Sequence, residues 1–302
     1  MAFRWWTFTV ERFEPVSHSL MILLFFSAHL VVFQSCLRPG ASIPWAPTLL
    51  ILLGTTIFFY KLRLYDEVKD YETDIRLNPT RPLARGLLQR KDLHGAIALC
   101  VLLELLFFAA TGREALAGAW IAISYSWLMY KEFFMREIIR PRLTAYAVSH
   151  TVVSSLLSLA ILAALSSAYP WQLGKDSVLF AASSWCLFNV FEFGRKTFAT
   201  GEERAGVESY SRIFGRSVAV LLVWIMAGLA DYLLISLPFP ESRLLMIYLA
   251  AAFGLLSVSG ALYAILDRSA LGKVYRAISS IYIGLVYLGL LIVHLMNLRE
   301  IP

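Results

Sequence analysis

Three aspartates recur at every fourth residue in the run Lys61-Leu-Arg-Leu-Tyr-Asp66-Glu67-Val-Lys-Asp70-Tyr-Glu-Thr-Asp74. On a helix this spacing stacks Asp66, Asp70 and Asp74 on one face, where like charges repel. A cation offsets such repulsion. Mg²⁺ suits it, being a hard ion that takes carboxylate oxygens together with substrate phosphates and keeps several waters. The alternative is a solvated helix end whose acids pair with Lys69, Arg63 and Arg76. Just downstream, Asp74-Ile-Arg76-Leu-Asn78-Pro79-Thr-Arg81-Pro82-Leu-Ala-Arg85-Gly86 turns the chain while presenting three arginines. Carboxylates for a metal beside guanidinium groups for phosphate oxygens form the pairing expected for a diphosphate ligand.

The elements that position these residues follow from composition. The chain of 302 residues is 59% hydrophobic and only 16% charged, where a soluble domain carries about 25% charged residues. Too little polar surface remains to cover so apolar a core, which excludes a disordered chain, a nucleic-acid module and an ordinary cytosolic enzyme. Apolar stretches near the length of a bilayer crossing occur at 17–37, 45–60, 93–111, 115–130, 146–168, 177–194, 216–236, 244–266 and 274–297. They must be helices, because a lipid-exposed backbone has to satisfy its own hydrogen bonds. The second and fourth are short and are expected to extend into their polar flanks.

Alternating the loops across a membrane places 22 of the 27 lysines and arginines on one side, together with the N-terminus. The positive-inside rule makes that side cytoplasmic. The net charge of +6 then reflects loops facing anionic lipid, with no nucleic-acid partner implied. Fifteen of the 21 acids share that side, concentrated in 61–92 and 192–216. The expected fold class is therefore all-α: a multi-pass membrane helical bundle of about nine transmembrane helices with a charged cytoplasmic cap. Residues 1–16, with Trp5 and Trp6 beside Arg4, form an interfacial segment with no cleavable-signal pattern, and 17–302 form one membrane domain. Cys36, Cys100 and Cys186 form no CxxC pair and are expected to be small buried hydrophobes.

The combination Asp66-Glu67-x-x-Asp70-x-x-x-Asp74, Arg76, Asn78-Pro79, Arg81-Pro82 and Gly86 resembles the first motif of the UbiA superfamily of intramembrane prenyltransferases. That motif reads N-D-x-x-D-x-x-x-D, followed by an R-P loop and a glycine. Asp66 stands where the family has Asn and Glu67 where it has Asp, and both replacements keep oxygen ligands. The nine spans, with this motif after the second, extend the similarity along the whole chain. The family's second motif, an Asp-rich stretch after span six, corresponds here to Glu192-Phe-Gly-Arg195-Lys196-Thr-Phe198-Ala-Thr-Gly201-Glu202-Glu203-Arg204-Ala-Gly206. Anchored on Gly206 and Gly215, Glu202 falls on the last acid of that motif, while Phe198 and Arg195 fall on earlier aspartates.

The resemblance implies a site with Mg²⁺ held by Asp66, Glu67, Asp70 and Asp74, and by Glu192, Glu202 and Glu203 in the weakened second cluster. Asp66, Asp70, Asp74 and Glu202 would carry catalysis. Arg76, Arg81, Arg85, Lys131, Arg195 and Lys196 would bind the diphosphate, with Arg195 and Lys196 taking over charge that a second Mg²⁺ would neutralise. Two of these have plainer readings: Glu192 as an i,i+4 partner of Lys196, and Lys131 as an ordinary positive-inside lysine. His150 and Asn189, polar groups within spans, are either site residues or interhelical hydrogen-bonding groups.

The implied activity is Mg²⁺-dependent ionisation of an isoprenyl diphosphate, its tail shielded from water among the helices, and transfer to an aromatic or other lipophilic acceptor. Trp127, Tyr125, Trp185, Phe188 and Phe191 are aromatic side chains that could face a cation. A terpene cyclase acting on the diphosphate alone is the alternative. A transporter fits less well, because the acids gather at one face rather than at the midplane; a non-catalytic scaffold built on a decayed enzyme is the reading that the lost aspartates of the second motif would favour.

Overall fold

The computed structural model describes residues 2–240 and 242–299; Met1, Glu241 and residues 300–302, which close the expected 17–302 domain, lie outside them. Every regular element among the described residues is helical. An N-terminal helix α1 (Ala2–Arg12) precedes α2 (Pro15–Val32), which a π-helical turn (Phe33–Leu37) prolongs. There follow α3 (Trp45–Lys69), α4 (Tyr71–Leu77), α5 (Arg90–Ala109), α6 (Arg113–Tyr130), α7 (Arg136–Ile139), α8 (Leu143–Ser166), α9 (Lys175–Arg195), α10 (Tyr210–Phe214), α11 (Arg216–Ile235), α12 (Ser242–Leu266) and α13 (Ser269–Arg299).

Among the described residues, eight helices are long and apolar enough to cross a membrane. The ninth long helix, α6, stands where the fourth span was expected, but its 18 residues include Arg113 and Glu114 in the first turn and a C-terminal half rich in Ser, Tyr and Trp. The second span extends nine residues past its apolar stretch, to Lys69, so the first acidic motif is carried on the end of α3. The helices pack mainly on their sequence neighbours: α3 on α5, α6 on α8, α8 on α9, α9 on α11, and α11 on α12. The bundle closes because α13 packs on α9 and α12 and also on α2.

Helix α9 is central. Its buried side includes Ala181, Ser183, Ser184 and Gly194, and small residues let helices approach closely where lipid supplies no hydrophobic drive for helix association. Gly194 is a required close approach, since a Cβ there would collide with the Cβ of Ser279 on α13. Some polar groups inside the bundle find partners on other helices: Asn189 accepts from Thr151 of α8 at 3.0 Å and donates to the Trp185 carbonyl of its own helix at 2.8 Å. Tyr282 donates to Asp231 at 2.8 Å, and Ser35 and His294 share a hydrogen bond.

The most demanding internal contact joins Lys61 of α3 to Glu104 of α5 at 2.5 Å, both side chains 0% exposed. The Lys61 ammonium also lies 4.3 Å from the centre of the Phe58 ring. Removing one member of a buried ion pair strands its partner's charge, at a cost of about 3–5 kcal/mol, while replacing both by apolar groups is often neutral. Lys61→Met should therefore lower the thermal midpoint of the detergent-solubilised protein sharply, and adding Glu104→Leu should restore most of the loss. Equal midpoints for the single variant and the parent would show that the pair carries no such load.

Candidate active site

The site is built where α3, α8 and α9 reach the charged end of the bundle. α3 kinks at its C-terminus: Asp70 has φ −90° and ψ 1°, the bridge region where active-site residues often sit. Asp66 and Asp70, one turn apart, remain about one-third exposed. Their ionic contacts are long, with Asp66 at 3.5 Å from Arg63 and 3.3 Å from Lys69, and Asp70 at 3.6 Å from Arg140. The carboxylates are thus steadied but not saturated. Burial pushes the Asp70 carboxyl above the usual range, with Asp66 and Asp74 adding to the rise against the pull of Lys69 and Arg140.

Helix α9 brings the second cluster to the same mouth. Glu192 takes Arg195 at 2.6 Å on one oxygen and Lys196 at 2.7 Å on the other. Arg195 lies within electrostatic range of Asp66 on α3. From α8, the Tyr146 ring lies 5.3 Å from the Lys69 ammonium and stacks on His150 at 3.8 Å. The His150 Nδ1 meets the Tyr146 carbonyl at 2.7 Å, within its own helix. Lys69, Arg63, Arg140 and Tyr146 were not singled out as site residues in the sequence. Arg140 counted only towards membrane orientation, and Lys69 and Arg63 only as pairing partners of the acids. The i,i+3 spacing of Asp66 from both was the signal available for the latter two.

Several residues expected at the site are engaged elsewhere. Glu67 sits about 100° around α3 from Asp66; its buried carboxylate accepts from Arg12 at 2.6 Å and from the Leu83 backbone N–H at 2.9 Å. It therefore ties α1 to the 78–88 turn and does not join a metal cluster. Asp74 does not share the open face of Asp66 and Asp70: beyond the kink it is buried, accepting from Asn78 at 2.9 Å and Arg81 at 2.5 Å. Arg81 is correspondingly held by Asp74. Arg85 turns away from the mouth to a two-pronged ion pair with Glu11 of α1, at 2.7 and 2.8 Å.

Arg76 is exposed, and Lys131 is exposed beside its neighbour's ring. Glu202 is fastened to Arg276 of α13 at 2.6 and 2.9 Å, and Glu203 accepts from Ser209 and Ser211 at 2.7 Å each. Both shape the 196–215 loop and leave the second cluster. Of the aromatic set, Trp127 is largely exposed on the bundle's outer side, while Phe188 is stacked on Phe59 in the interior.

Among the described residues, no three His, Cys, Asp or Glu side chains are grouped to hold a metal. One divalent cation still fits the donor chemistry, because Mg²⁺ is commonly held by one or two carboxylates plus substrate phosphates. Asp66 and Asp70 offer such a pair. A second metal does not fit, since the acids on the α9 side already face cations or hydroxyls.

The hydrogen bonds from Arg276 hold the Glu202 carboxyl below its usual value. A lowered native value means stability that is present above the unfolded value and is lost as pH falls through the native one. Glu202→Gln should therefore lower the thermal midpoint at neutral pH. The gap to the parent should persist down to the ordinary glutamate value of 4.5 and close below it, with or without Mg²⁺. A gap that depends on Mg²⁺ instead of pH would return Glu202 to the metal cluster.

No family model and no curated protein matches the sequence. Solved structures do match the fold. A digeranylgeranylglyceryl phosphate synthase superposes with a TM-score of 0.64 at 16% identity, covering 97% of this chain and 99% of the other. A UbiA homologue from Aeropyrum pernix K1 gives 0.62 at 15%, covering 92% and 98%. A UbiA homologue from Archaeoglobus fulgidus, bound to DMAPP and Mg²⁺, gives 0.59 at 14%, covering 94% and 99%. The chain has the fold of the UbiA homologues over nearly its whole length.

Proposed function

We propose that this chain is a Mg²⁺-dependent intramembrane prenyltransferase of the UbiA superfamily, with 17–302 as its membrane domain and the charged cap on the cytoplasmic side. The observation that carries this reading is the convergence of two open carboxylates, Asp66 and Asp70, with Arg63, Lys69, Arg140 and Arg195 at one mouth of an apolar bundle. The first motif's resemblance and the shared fold point the same way, and the Archaeoglobus homologue binds DMAPP with Mg²⁺.

Asp66 and Asp70 would hold the Mg²⁺, which when bound neutralises charge on the diphosphate. The surrounding guanidinium and ammonium groups would grip the remaining phosphate oxygens, with Arg76 and the Asp74-braced Arg81 contributing from the turn. Ionisation breaks the C–O bond of the allylic ester, the electron pair leaving with the diphosphate. Phe59 lies about two turns before Asp66 on α3, and Phe188 about one turn before Glu192 on α9. Their rings pack with Phe25, and Phe25 meets Tyr287 edge-on. These rings would shield the tail from water and offer aromatic faces to a cation. A lipophilic or aromatic acceptor then captures the prenyl carbon and releases a proton.

Detergent-purified protein given geranyl, farnesyl or geranylgeranyl diphosphate should bind the donor more tightly with Mg²⁺ than with EDTA, and Asp70→Ala should abolish that Mg²⁺-dependent gain. Diphosphate release should require an added acceptor. Release without acceptor, with a cyclic hydrocarbon in the organic phase, would make the protein a cyclase. Neither binding nor release would end the enzyme reading and favour a transporter or scaffold.

A further inference from the structure

Arginine and lysine stand side by side at the end of α9, and both are already occupied by a carboxylate of the same helix. The Arg195 Nε and Nη2 atoms each lie 2.6 Å from Glu192 Oε2, and the Lys196 Nζ lies 2.7 Å from Oε1. The Glu192 side chain is only 14% exposed, whereas that of Arg195 is 45% exposed. The carboxylate is thus inside and the guanidinium reaches outward over the mouth. A forked guanidinium with an ammonium beside it is a phosphate-binding arrangement, and a carboxylate is the group that best imitates a phosphate there.

We propose that Glu192 is an internal stand-in for substrate phosphate: it keeps Arg195 and Lys196 ordered in the empty site and yields them to the diphosphate, so that these two cations serve where a second metal would otherwise sit. The inference rests on the function proposed above and deepens it, assigning one divalent cation per site in place of two. Three observations converge on it. Both Glu192 oxygens are engaged by short ionic contacts, so a metal there would have to compete with two cations. Glu202 and Glu203, the other acids of that side, are fastened to Arg276 and to two serines. Phe59 of α3 stacks on Phe188 of α9 at 5.9 Å, each seven residues before Asp66 and Arg195, so the two charged helix ends lie at the same level of the bundle. On binding, the diphosphate takes the fork and the Glu192 carboxylate swings away towards solvent.

The two possible roles of Glu192 predict opposite signs. Calorimetric titration of the full chain in detergent with inorganic pyrophosphate, with Mg²⁺ and with EDTA, should show Glu192→Gln binding about tenfold tighter, because a charged competitor has been removed from the fork. Arg195→Gln should bind about tenfold more weakly in the same series. Asp70→Asn should lose only the Mg²⁺-dependent part. Independently of any variant, electron paramagnetic resonance with Mn²⁺ and pyrophosphate should count one bound ion per parent chain. Weaker binding in Glu192→Gln, or two Mn²⁺ per chain, would overturn the stand-in role and restore Glu192 as a metal ligand while leaving the prenyltransferase reading intact. Failure of the parent chain to bind pyrophosphate at all would overturn both.

Discussion

A carboxylate at the rim of a bilayer cannot rely on bulk water to bear its charge, and one within the bilayer cannot rely on water at all. Either it is paired inside the protein or it costs several kcal/mol. That constraint organises the charged end of this molecule. Glu67 is matched by Arg12, Asp74 by Arg81, Glu132 by Arg140, Glu192 by Arg195 and Lys196, Glu202 by Arg276, and Asp267 by Arg216. Three of these pairs also join segments that would otherwise be independent: α1 to α3, the 196–215 loop to α13, and the segment before α13 to α11. The loops over the bundle are shaped by ion pairing more than by apolar packing. Against that background, the loosely held Asp66 and Asp70 stand apart. They are the acids whose partners keep the longest distance and whose side chains stay open.

How far this arrangement could be read from the amino acids divides along physical lines. Hydropathy reports the environment of a whole segment, so among the described residues nine long helices stand close to the expected limits, eight of them apolar enough to cross a membrane and α6 not. The exception is the end of α3, where the helix runs on through polar residues. Local hydrogen bonding sustains a helix whether or not lipid surrounds it. The contacts readable at i,i+3 and i,i+4, such as Asp66 with Lys69 and Glu192 with Lys196, are also present. The partners that decide which acids stay free were not readable. Glu67 and Asp66 are chemically similar neighbours, and only the placement of α1, with Arg12 55 residues away, separates a clamp from an open ligand. In the same way Glu202 falls on a motif position by alignment, yet Arg276, brought by α13, claims it. Spacing along a chain cannot report a partner supplied by another helix.

The α1 clamp has a further role in this picture. Phe8 is fully buried against Tyr60 and Trp5, while Phe3 and Trp6 remain exposed, at 79% and 60%. One face of the helix grips the bundle and the other offers aromatic rings to the membrane interface. Through Glu67, whose other oxygen takes the Leu83 backbone, that grip reaches the turn carrying Arg81. The turn beside the open carboxylates is therefore held from outside the bundle as well as from within it.

The Lys61–Glu104 pair bears on how the molecule is made. The two residues are separated by 43 positions, so during synthesis α3 emerges well before the helix that neutralises its lysine. A lone ammonium on a helix facing hydrocarbon is unfavourable. Until α5 arrives, α3 is better kept in a wetter or protein-lined environment than released sideways into lipid. Only with α5 packed on α3 are both charges matched, and the turn bearing the first acidic motif is the loop of that helical hairpin.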